Sequence, residues 1–323
     1  MKEDIHKIPK IELHMHIDGS LPLNLVSRMT NKKEIKLRKE LCADKENRSL
    51  TDYLEKFELP VSLMQSKPAL KMIGEAIVDK LENENVIYAE LRFAPMKHTT
   101  AGLFYEEIID SLLEGLRTNK KVKTNLILCM MRGAKLIDNI KTIHVAEKYL
   151  GKGVCAVDLA GDESKYPLEN YLMLFDIAKQ KGIPFTIHAG ESGSASEVRK
   201  AIKVGAKRIG HGINAVNDKE VIELLKKENV LLEVCPTSKI GTIPNMTYSS
   251  HPIKKLFEEG VKVSINTDNR TTSDTTLTEE YIHMKSIGFT LQDIKDMNKV
   301  ALEHAFISDK EKEDLKKRLE NKI

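Results

Sequence analysis

Two hydrophobic patterns alternate along most of this chain. Short, nearly continuous apolar runs are typical of strands buried on both faces, whereas apolar residues recurring every three or four positions indicate amphipathic helices. The opening strand begins at Lys10 and alternates apolar with polar residues toward His16. Further strands are predicted at Val86–Ala94, Lys123–Met131, Val154–Ala160, Ile183–Ala189, Arg208–Gly210, Val230–Cys235 and Val261–Thr267.

Helical patterns fill the segments around these strands. They are predicted at Pro22–Met29, Ala69–Asn83, Tyr105–Asn119, Leu136–Leu150, Glu169–Lys181, Ala195–Val204, Asp218–Glu228, Ile253–Glu259, Thr290–Phe306 and Asp309–Lys322. The mixed-charge stretch Asn31–Asn47 is predicted to be a solvated helical excursion. Strict alternation of strand and helix implies a parallel sheet covered by helices. Eight such units predict an α/β fold, a (β/α)8 TIM barrel with additional helices, as a single domain over residues 1–323.

Composition narrows the classes of function. The 323 residues carry a net charge of only +3, from 51 basic and 48 acidic side chains, which gives no argument for nucleic acid or a membrane as a partner. No apolar stretch resembles a signal sequence or a membrane span. The four cysteines form no C-x-x-C pair, so reduced thiols in a cytoplasmic protein are expected. The oligomeric state stays open.

Polar residues gather at the predicted strand ends. His14 and His16 are two residues apart, so their side chains point to the same face of a strand. In a TIM barrel the carboxyl ends of the strands form the catalytic face, and other strands end there in His188, His211 and Asp268. Buried histidines and carboxylates are costly unless they are paired or bind a metal. This grouping therefore predicts chemistry rather than packing.

Three imidazoles and one carboxylate make a suitable zinc site. The expected ligands of one Zn²⁺ per chain are His14, His16, His188 and Asp268. A zinc-bound water has its pKa lowered to about 7, which provides a nucleophile at neutral pH. Glu191 and His211 then remain for proton transfer, Glu191 as a candidate acid and His211 as a candidate base or electrostatic partner of the water.

The motifs HMHIDGSL (14–21), DLAGDE (158–163), HAGE (188–191), GHGI (210–213), EVCPTS (233–238) and NTD (266–268) occur in this order. Together they resemble the adenosine deaminase family within the metal-dependent amidohydrolases, over nearly the whole chain. H-x-H alone is shared by many metallohydrolases, but the full set is specific. The resemblance implies zinc-dependent hydrolysis of the 6-amino group of adenosine or 2′-deoxyadenosine, giving inosine or 2′-deoxyinosine and ammonia.

The resemblance also implies roles at the substrate. Glu191 would protonate purine N1, and His211 would stabilise or deprotonate the attacking water. Gly161 would offer its N–H to purine N3, and Asp18 would reach the ribose. Asp158 and Glu233 would orient the histidines. The residues implied to contact the purine nucleoside are His16, Asp18, Gly161 and Asn269, with Leu50, Tyr53, Leu54 and Phe57 as an apolar lid.

Two positions depart from the family pattern. The family typically reads NTDDP, whereas this chain reads NTDNR, so Asn269 replaces the Asp expected near purine N7. An Asn amide can donate directly to an unprotonated N7, which a carboxylate cannot do. Lys239 stands where an Asn is common after CPTS. Both changes bear on which 6-aminopurine is preferred and leave the predicted metal ligands intact.

Two alternatives to adenosine deamination remain at this point. One is an enzyme that deaminates another 6-aminopurine, either adenine or an adenine nucleotide. The other is a catalytically silent nucleoside-binding protein on the same barrel, which would need an incomplete set of metal ligands. The sequence shows a complete set.

Overall fold

Eight parallel strands form the centre of the protein. A computed structural model describes residues 2–43, 53 and 55–320. The strands are β1 (Lys10–His16), β2 (Val86–Phe93), β3 (Lys123–Met131), β4 (Val154–Ala160), β5 (Ile187–Ala189), β6 (Arg208–His211), β7 (Leu231–Val234) and β8 (Lys262–Ile265). They pair in sequence order as two four-stranded sheets, β1 to β4 and β5 to β8.

Backbone hydrogen bonds at the two seams join these sheets into a barrel. At the first seam, Val157 N donates to Pro184 O at 3.0 Å and Thr186 N donates to Val157 O at 3.0 Å. At the second, His16 N donates to Asp268 O at 2.7 Å and Asp268 N donates to His14 O at 2.9 Å. The predicted TIM barrel is therefore confirmed, and its closing seam joins two segments predicted to bind the metal.

Helices surround the barrel. They span Lys2–Lys7, Leu23–Thr30, Glu34–Leu41, Glu58–Leu63, Lys67–Asn83, Tyr105–Leu116, Leu136–Tyr149, Leu172–Gln180, Ala195–Val204, Lys219–Lys227, Pro236–Thr242, Ile253–Glu258, Leu277–Ser286, Leu291–His304 and Asp309–Glu320. Short 3-10 turns occur at Pro95–His98, Leu168–Tyr171 and Ile213–Asn217. Within the described ranges, no helix is long and apolar enough to cross a membrane.

The structure corrects several predicted elements. The strand predicted over Ile183–Ala189 is continuous only over Ile187–Ala189, and the residues before it pair with β4 through a single parallel bridge between Phe185 and Val157. The helix Glu34–Leu41 is not a purely solvated excursion, since Leu37 and Leu41 are fully buried one helical turn apart. The helices Pro236–Thr242 and Leu277–Ser286 were not predicted, because short segments beside turns carry weak periodicity.

The barrel interior beneath the catalytic face is charged. Arg92 and Arg208 are fully buried there, and Glu233 accepts hydrogen bonds from both guanidinium groups. Arg92 also pairs with Asp158 at 3.1 Å, and Arg208 pairs with Glu90. Buried charges are tolerated only when they are paired and hydrogen-bonded. This layer therefore forms a fixed charged floor under the site.

Candidate active site

Four side chains converge at the carboxyl ends of β1, β5 and β8. His16 Nε2 lies 3.3 Å from His188 Nε2 and 3.5 Å from Asp268 Oδ1. His14 Nε2 also lies 3.5 Å from Asp268 Oδ1. The ring nitrogens of the three histidines all lie within 4.8 Å of one another. Three nitrogens and one oxygen thus face a common point, which is the donor set of a tetrahedral zinc site.

Carboxylates on the barrel floor hold the far side of two of these rings. Glu233 Oε2 lies 2.9 Å from His14 Nδ1, and Asp158 Oδ2 lies 2.9 Å from His188 Nδ1. Arg92 bonds both carboxylates, so the two supports are themselves fixed. A carboxylate behind Nδ1 keeps the proton there and leaves the lone pair of Nε2 available to a metal. Asp158 and Glu233 therefore lie where the sequence predicts orienting partners.

The donor atoms fit a cation. His14 Nε2 is buried and has no hydrogen-bond partner within the described residues. Burial lowers the pKa of His16 to about 3, so its imidazole is neutral and able to coordinate at neutral pH. Cys235 also lies close to His14 and His211. Burial raises the pKa of the Cys235 thiol well above its usual range, so the group is a neutral thiol in the metal-free protein.

The loop that places Asp268 closes over the barrel seam. Asp268 has a positive φ of +60°, a backbone conformation that Asp tolerates better than most residues. Its Oδ2 accepts a hydrogen bond from Ser238 Oγ at 2.5 Å, which leaves Oδ1 facing the histidines. Ser238 was not predicted as a site residue. It lies within the quoted EVCPTS motif, but no sequence periodicity connects it to β8.

Glu191 and His211 lie beside the donor cluster, as their strand-end positions predict. Glu191 Oε1 is 3.5 Å from His211 Nε2 and forms an ion pair with Lys239 Nζ. Burial lowers the pKa of His211 well below its usual value, so the imidazole is neutral. Burial raises the pKa of Glu191, but His211 and the Lys239 ammonium outweigh burial and set it below its usual range. Because His211 is neutral, Lys239 is the cation that keeps Glu191 ionised.

A second carboxylate, Glu163, holds the loop that carries Glu191. Glu163 Oε1 accepts hydrogen bonds from the backbone N–H groups of Glu191, Ser192 and Gly193 at 2.5, 2.6 and 2.7 Å. Its Oε2 accepts from Gly190 N at 2.9 Å. Four donors on one buried carboxylate fix the loop rigidly. The sequence places Glu163 in the DLAGDE motif, but nothing in that motif reveals this partner 28 residues away.

The predicted purine side of the site is only partly described. Asn269 Nδ2 donates to Tyr53 Oη at 2.8 Å, and Asn269 Oδ1 is buried without a partner in the described chain. The Tyr53 and Phe57 rings pack at 5.7 Å between centroids. A phenol can donate or accept, so turning the amide over keeps the Tyr53 contact and frees Nδ2. Leu50 and Leu54, predicted in the same lid, lie outside the described residues.

Asn269 packs directly against residue 19, and this contact requires a glycine at that position. A Cβ at Gly19 would lie 1.9 Å from Asn269 Oδ1, so only glycine fits there. Arg270, the next residue, turns away from the site and pairs with Glu84 and with Glu12, the latter at 3.3 Å. Asn269 is therefore the departure from the NTDDP pattern that packs against Gly19 and Tyr53.

The two remaining predicted substrate residues frame the mouth. Asp18 follows β1 and is half-buried, and burial raises its pKa to about 6. Its Oδ1 has no hydrogen-bond partner within the part of the chain described here. Gly161 follows β4 with a φ of +104° and is exposed, a conformation that other residues rarely adopt. Gly161 is thus open to solvent, whereas Asp18 Oδ1 is a buried acceptor without a partner in the described residues.

Comparisons with known proteins agree with this geometry. The family model described as "Adenosine deaminase" matches residues 9–322. An adenosine deaminase of Clostridium botulinum is 42% identical over 325 residues, covering 96% of this chain and 96% of that protein. The fold matches an adenine deaminase from Arthrobacter aurescens (TM-score 0.86, 23% identity, 97% and 98% coverage) and the Arabidopsis N6-mAMP deaminase (TM-score 0.87, 24%, 98% and 99%).

Proposed function

Because the chain belongs to the adenosine deaminase family, we propose that it hydrolyses adenosine and 2′-deoxyadenosine to inosine or 2′-deoxyinosine and ammonia. One observation carries this proposal. His16 Nε2 lies 3.3 Å from His188 Nε2 and 3.5 Å from Asp268 Oδ1, with Glu191 and His211 beside them at the mouth of the barrel. A hydrolytic deaminase needs these same parts, namely a metal that activates water and two groups that move protons.

One zinc ion would be held by His14, His16, His188 and Asp268. When bound, zinc lowers the pKa of a coordinated water and so supplies a nucleophile at neutral pH. A carboxylate lies 2.9 Å from Nδ1 of His14 and another lies 2.9 Å from Nδ1 of His188, so both rings are already oriented for binding through Nε2. Three imidazoles and a carboxylate favour zinc over the all-oxygen sites of magnesium or calcium.

The chain's own residues then carry out proton transfer. Glu191 delivers a proton to purine N1, which makes C6 electrophilic. His211, neutral because it is buried, accepts a proton from the attacking water. In the balanced reaction, one hydrogen of the water ends on N1 of the product and the other leaves in ammonia. Glu163 keeps Glu191 in place through the four loop N–H groups.

Recognition of the nucleoside falls to the rim. Gly161 offers its N–H to purine N3, and Asp18 with its unpartnered Oδ1 takes a ribose hydroxyl. Asn269 faces N7, and its amide can present either a donor or an acceptor. His16 contributes to both metal and substrate binding. The described part of the apolar lid, Tyr53 and Phe57, covers the base.

The proposal is tested with zinc-loaded protein and a substrate panel. Adenosine, 2′-deoxyadenosine, adenine and AMP are supplied in turn, and ammonia release is measured beside the zinc content of the same sample. We expect the two nucleosides to be used best. Preference for adenine or for AMP would replace the nucleoside with that 6-aminopurine, and no ammonia from any of them at full zinc occupancy would reject deamination.

The Glu191→Gln variant separates an enzyme from a silent binding protein. Gln keeps the size and the hydrogen-bonding capacity of the side chain but cannot donate a carboxyl proton. We expect zinc and nucleoside binding to persist while turnover falls by about 10²- to 10⁴-fold, the usual contribution of a general acid. Unchanged turnover would remove Glu191 from the mechanism.

The proposal also covers the location of the enzyme, its domain organisation and its partner. We place the protein in the cytoplasm, as a single domain over residues 1–323 with a small purine nucleoside as its partner. Cys129, Cys155 and Cys235 are buried thiols without disulfide bonds, which suits a reducing compartment. The near-balanced charge of +3 gives no argument for nucleic acid as a partner.

A further inference from the structure

Lys239 is a buried cation that has no role in the proposed reaction as described above. It lies on the short helix Pro236–Thr242, its side chain is 4% exposed, and its Nζ pairs with Glu191 Oε1. Most lysines keep their ammonium group in water, and burial of one requires a partner or a task. Lys239 aims its charge at the one carboxylate to which we assign delivery of a proton to the substrate.

The pair contains the proton that the reaction needs. A carboxylate beside an ammonium holds the same number of protons as a carboxylic acid beside an amine. The resting site, with Glu191 ionised, therefore still carries one proton that can move to purine N1. Substrate binding excludes water, and desolvation disfavours both charged forms, which favours the neutral arrangement of the pair.

We infer that Lys239 is a positioning residue that holds Glu191 ionised in the resting site and passes to it the proton that Glu191 delivers to purine N1. This inference rests on the proposed function. An Nζ–H bond of Lys239 breaks as the Oε1–H bond of Glu191 forms, and Glu191 gives that proton to N1. One water hydrogen, accepted by His211 during the attack at C6, passes on to restore the ammonium, and the other leaves in ammonia, so protons balance over the cycle.

Other charged and titratable groups surround the pair. Those that face Glu191 are His211, His188 and Asp268, and those that face Lys239 are His211 and His251. Burial lowers the pKa of His251 to about 3, so this ring is neutral. His211 is neutral for the same reason. Within the described residues, neither ring replaces the Lys239 charge at neutral pH.

Lys239→Met tests the inference through the pH profile of the zinc-loaded enzyme. In the variant, the proton resides on an unpaired carboxyl of Glu191, which loses it as pH rises, and amines in general hold a proton to higher pH than carboxyl groups do. We expect the wild-type to variant ratio of kcat/KM to grow by at least about tenfold between about pH 6 and about pH 9. A ratio that is equal at both pH values would overturn the inference.

Lys239→Arg is the matched control for charge alone. A guanidinium keeps Glu191 ionised but does not release its proton in the accessible pH range. We expect kcat/KM to fall by about 10²- to 10⁴-fold at every pH, with zinc content unchanged. Activity within about threefold of the wild type would show that position 239 needs only a positive charge, which contradicts proton supply.

An infrared measurement without substrate separates this inference from the proposed function. The difference spectrum between the wild type and Glu191→Gln should lack a protonated carboxyl band at neutral pH. The same difference in a Lys239→Met background should contain that band. A wild type that makes no ammonia would reject the proposed function yet leave this spectral result intact, whereas a carboxyl band in the wild type would overturn the role of Lys239.

Discussion

Two halves of the barrel mouth hold their side chains by different means. The donor half consists of the proposed metal ligands His14, His16, His188 and Asp268, and the proton half consists of the residues proposed to handle protons, Glu191, His211 and Lys239. In the donor half, the rings of His14 and His188 stand on strands, each with a carboxylate 2.9 Å behind it. In the proton half, Glu191 lies on a loop held by the single carboxylate of Glu163.

The two halves differ in how firmly their side chains are held before a ligand binds. Arg92 and Arg208 lock the carboxylates behind the donor half, so that half is fixed before any ligand binds. The loop of the proton half depends on four N–H bonds to one side chain, and its charge state depends on one lysine. Preorganised donors suit a metal, whereas adjustable partners suit a proton that must move.

The largest expected effect comes from breaking the donor half. His16→Ala removes a donor whose Nε2 faces both His188 and Asp268. We expect zinc content to fall steeply and turnover to drop by about 10⁴-fold or more, because the metal contributes several kcal/mol to the reaction. Zinc is measured by elemental analysis on the same sample as ammonia release. His144→Ala, an exposed helical histidine, should change neither, and full zinc occupancy in His16→Ala would contradict the donor set.

A smaller effect comes from loosening the proton half. Glu163→Gln replaces one accepting oxygen by an amide that cannot accept the N–H bonds of the Glu191 loop. We expect kcat to fall by about 10²-fold with zinc content and KM little changed, since a misplaced catalytic group costs roughly that much. The quantities measured are kcat and KM separately.

Glu197→Gln is the matched control for that variant. Glu197 is buried nearby and accepts from Leu168 N at 3.1 Å, but it makes no bond to the Glu191 loop in the described structure. We expect its kcat to stay close to that of the wild type. Equal losses in the two variants would mean that Glu163 stabilises the region generally and does not position Glu191.

The same contrast explains what the sequence could predict. Donors on strands are visible because a barrel brings all strand ends to one face, so His14, His188 and His211 could be grouped without a structure. Lys239 and Glu163 reach Glu191 from a short helix and a loop, at separations of 48 and 28 residues, and no periodicity encodes such contacts. The barrel could be predicted from the alternation of strands and helices alone. Its charged floor could not, because the sequence does not show that the Arg92 side chain is buried inside the barrel.

The other limit of prediction concerns which side chains are buried and which partners they meet. Leu37 and Leu41 lie in a segment dense in charge, which was predicted to be solvated. Their four-residue spacing is the only sequence feature that indicates the buried face in the structure. Asn269 was identified from a departure in a motif, whereas its Tyr53 partner, 216 residues earlier, was predicted only as apolar lid. A phenol that bonds an amide is both lid and recognition group, which a hydrophobic pattern does not reveal.

The smallest expected effect concerns recognition of the base. Asn269→Asp exchanges an amide, which can donate to an unprotonated N7, for a carboxylate, which can only accept. We expect the wild type to bind adenosine about fivefold better than 7-deazaadenosine, which lacks N7, because one hydrogen bond contributes about 1 kcal/mol. In Asn269→Asp this preference should fall below about threefold, with zinc content unchanged. A larger preference in the variant would mean that Asn269 does not donate to N7, because a carboxylate recognises that atom better when N7 carries a proton.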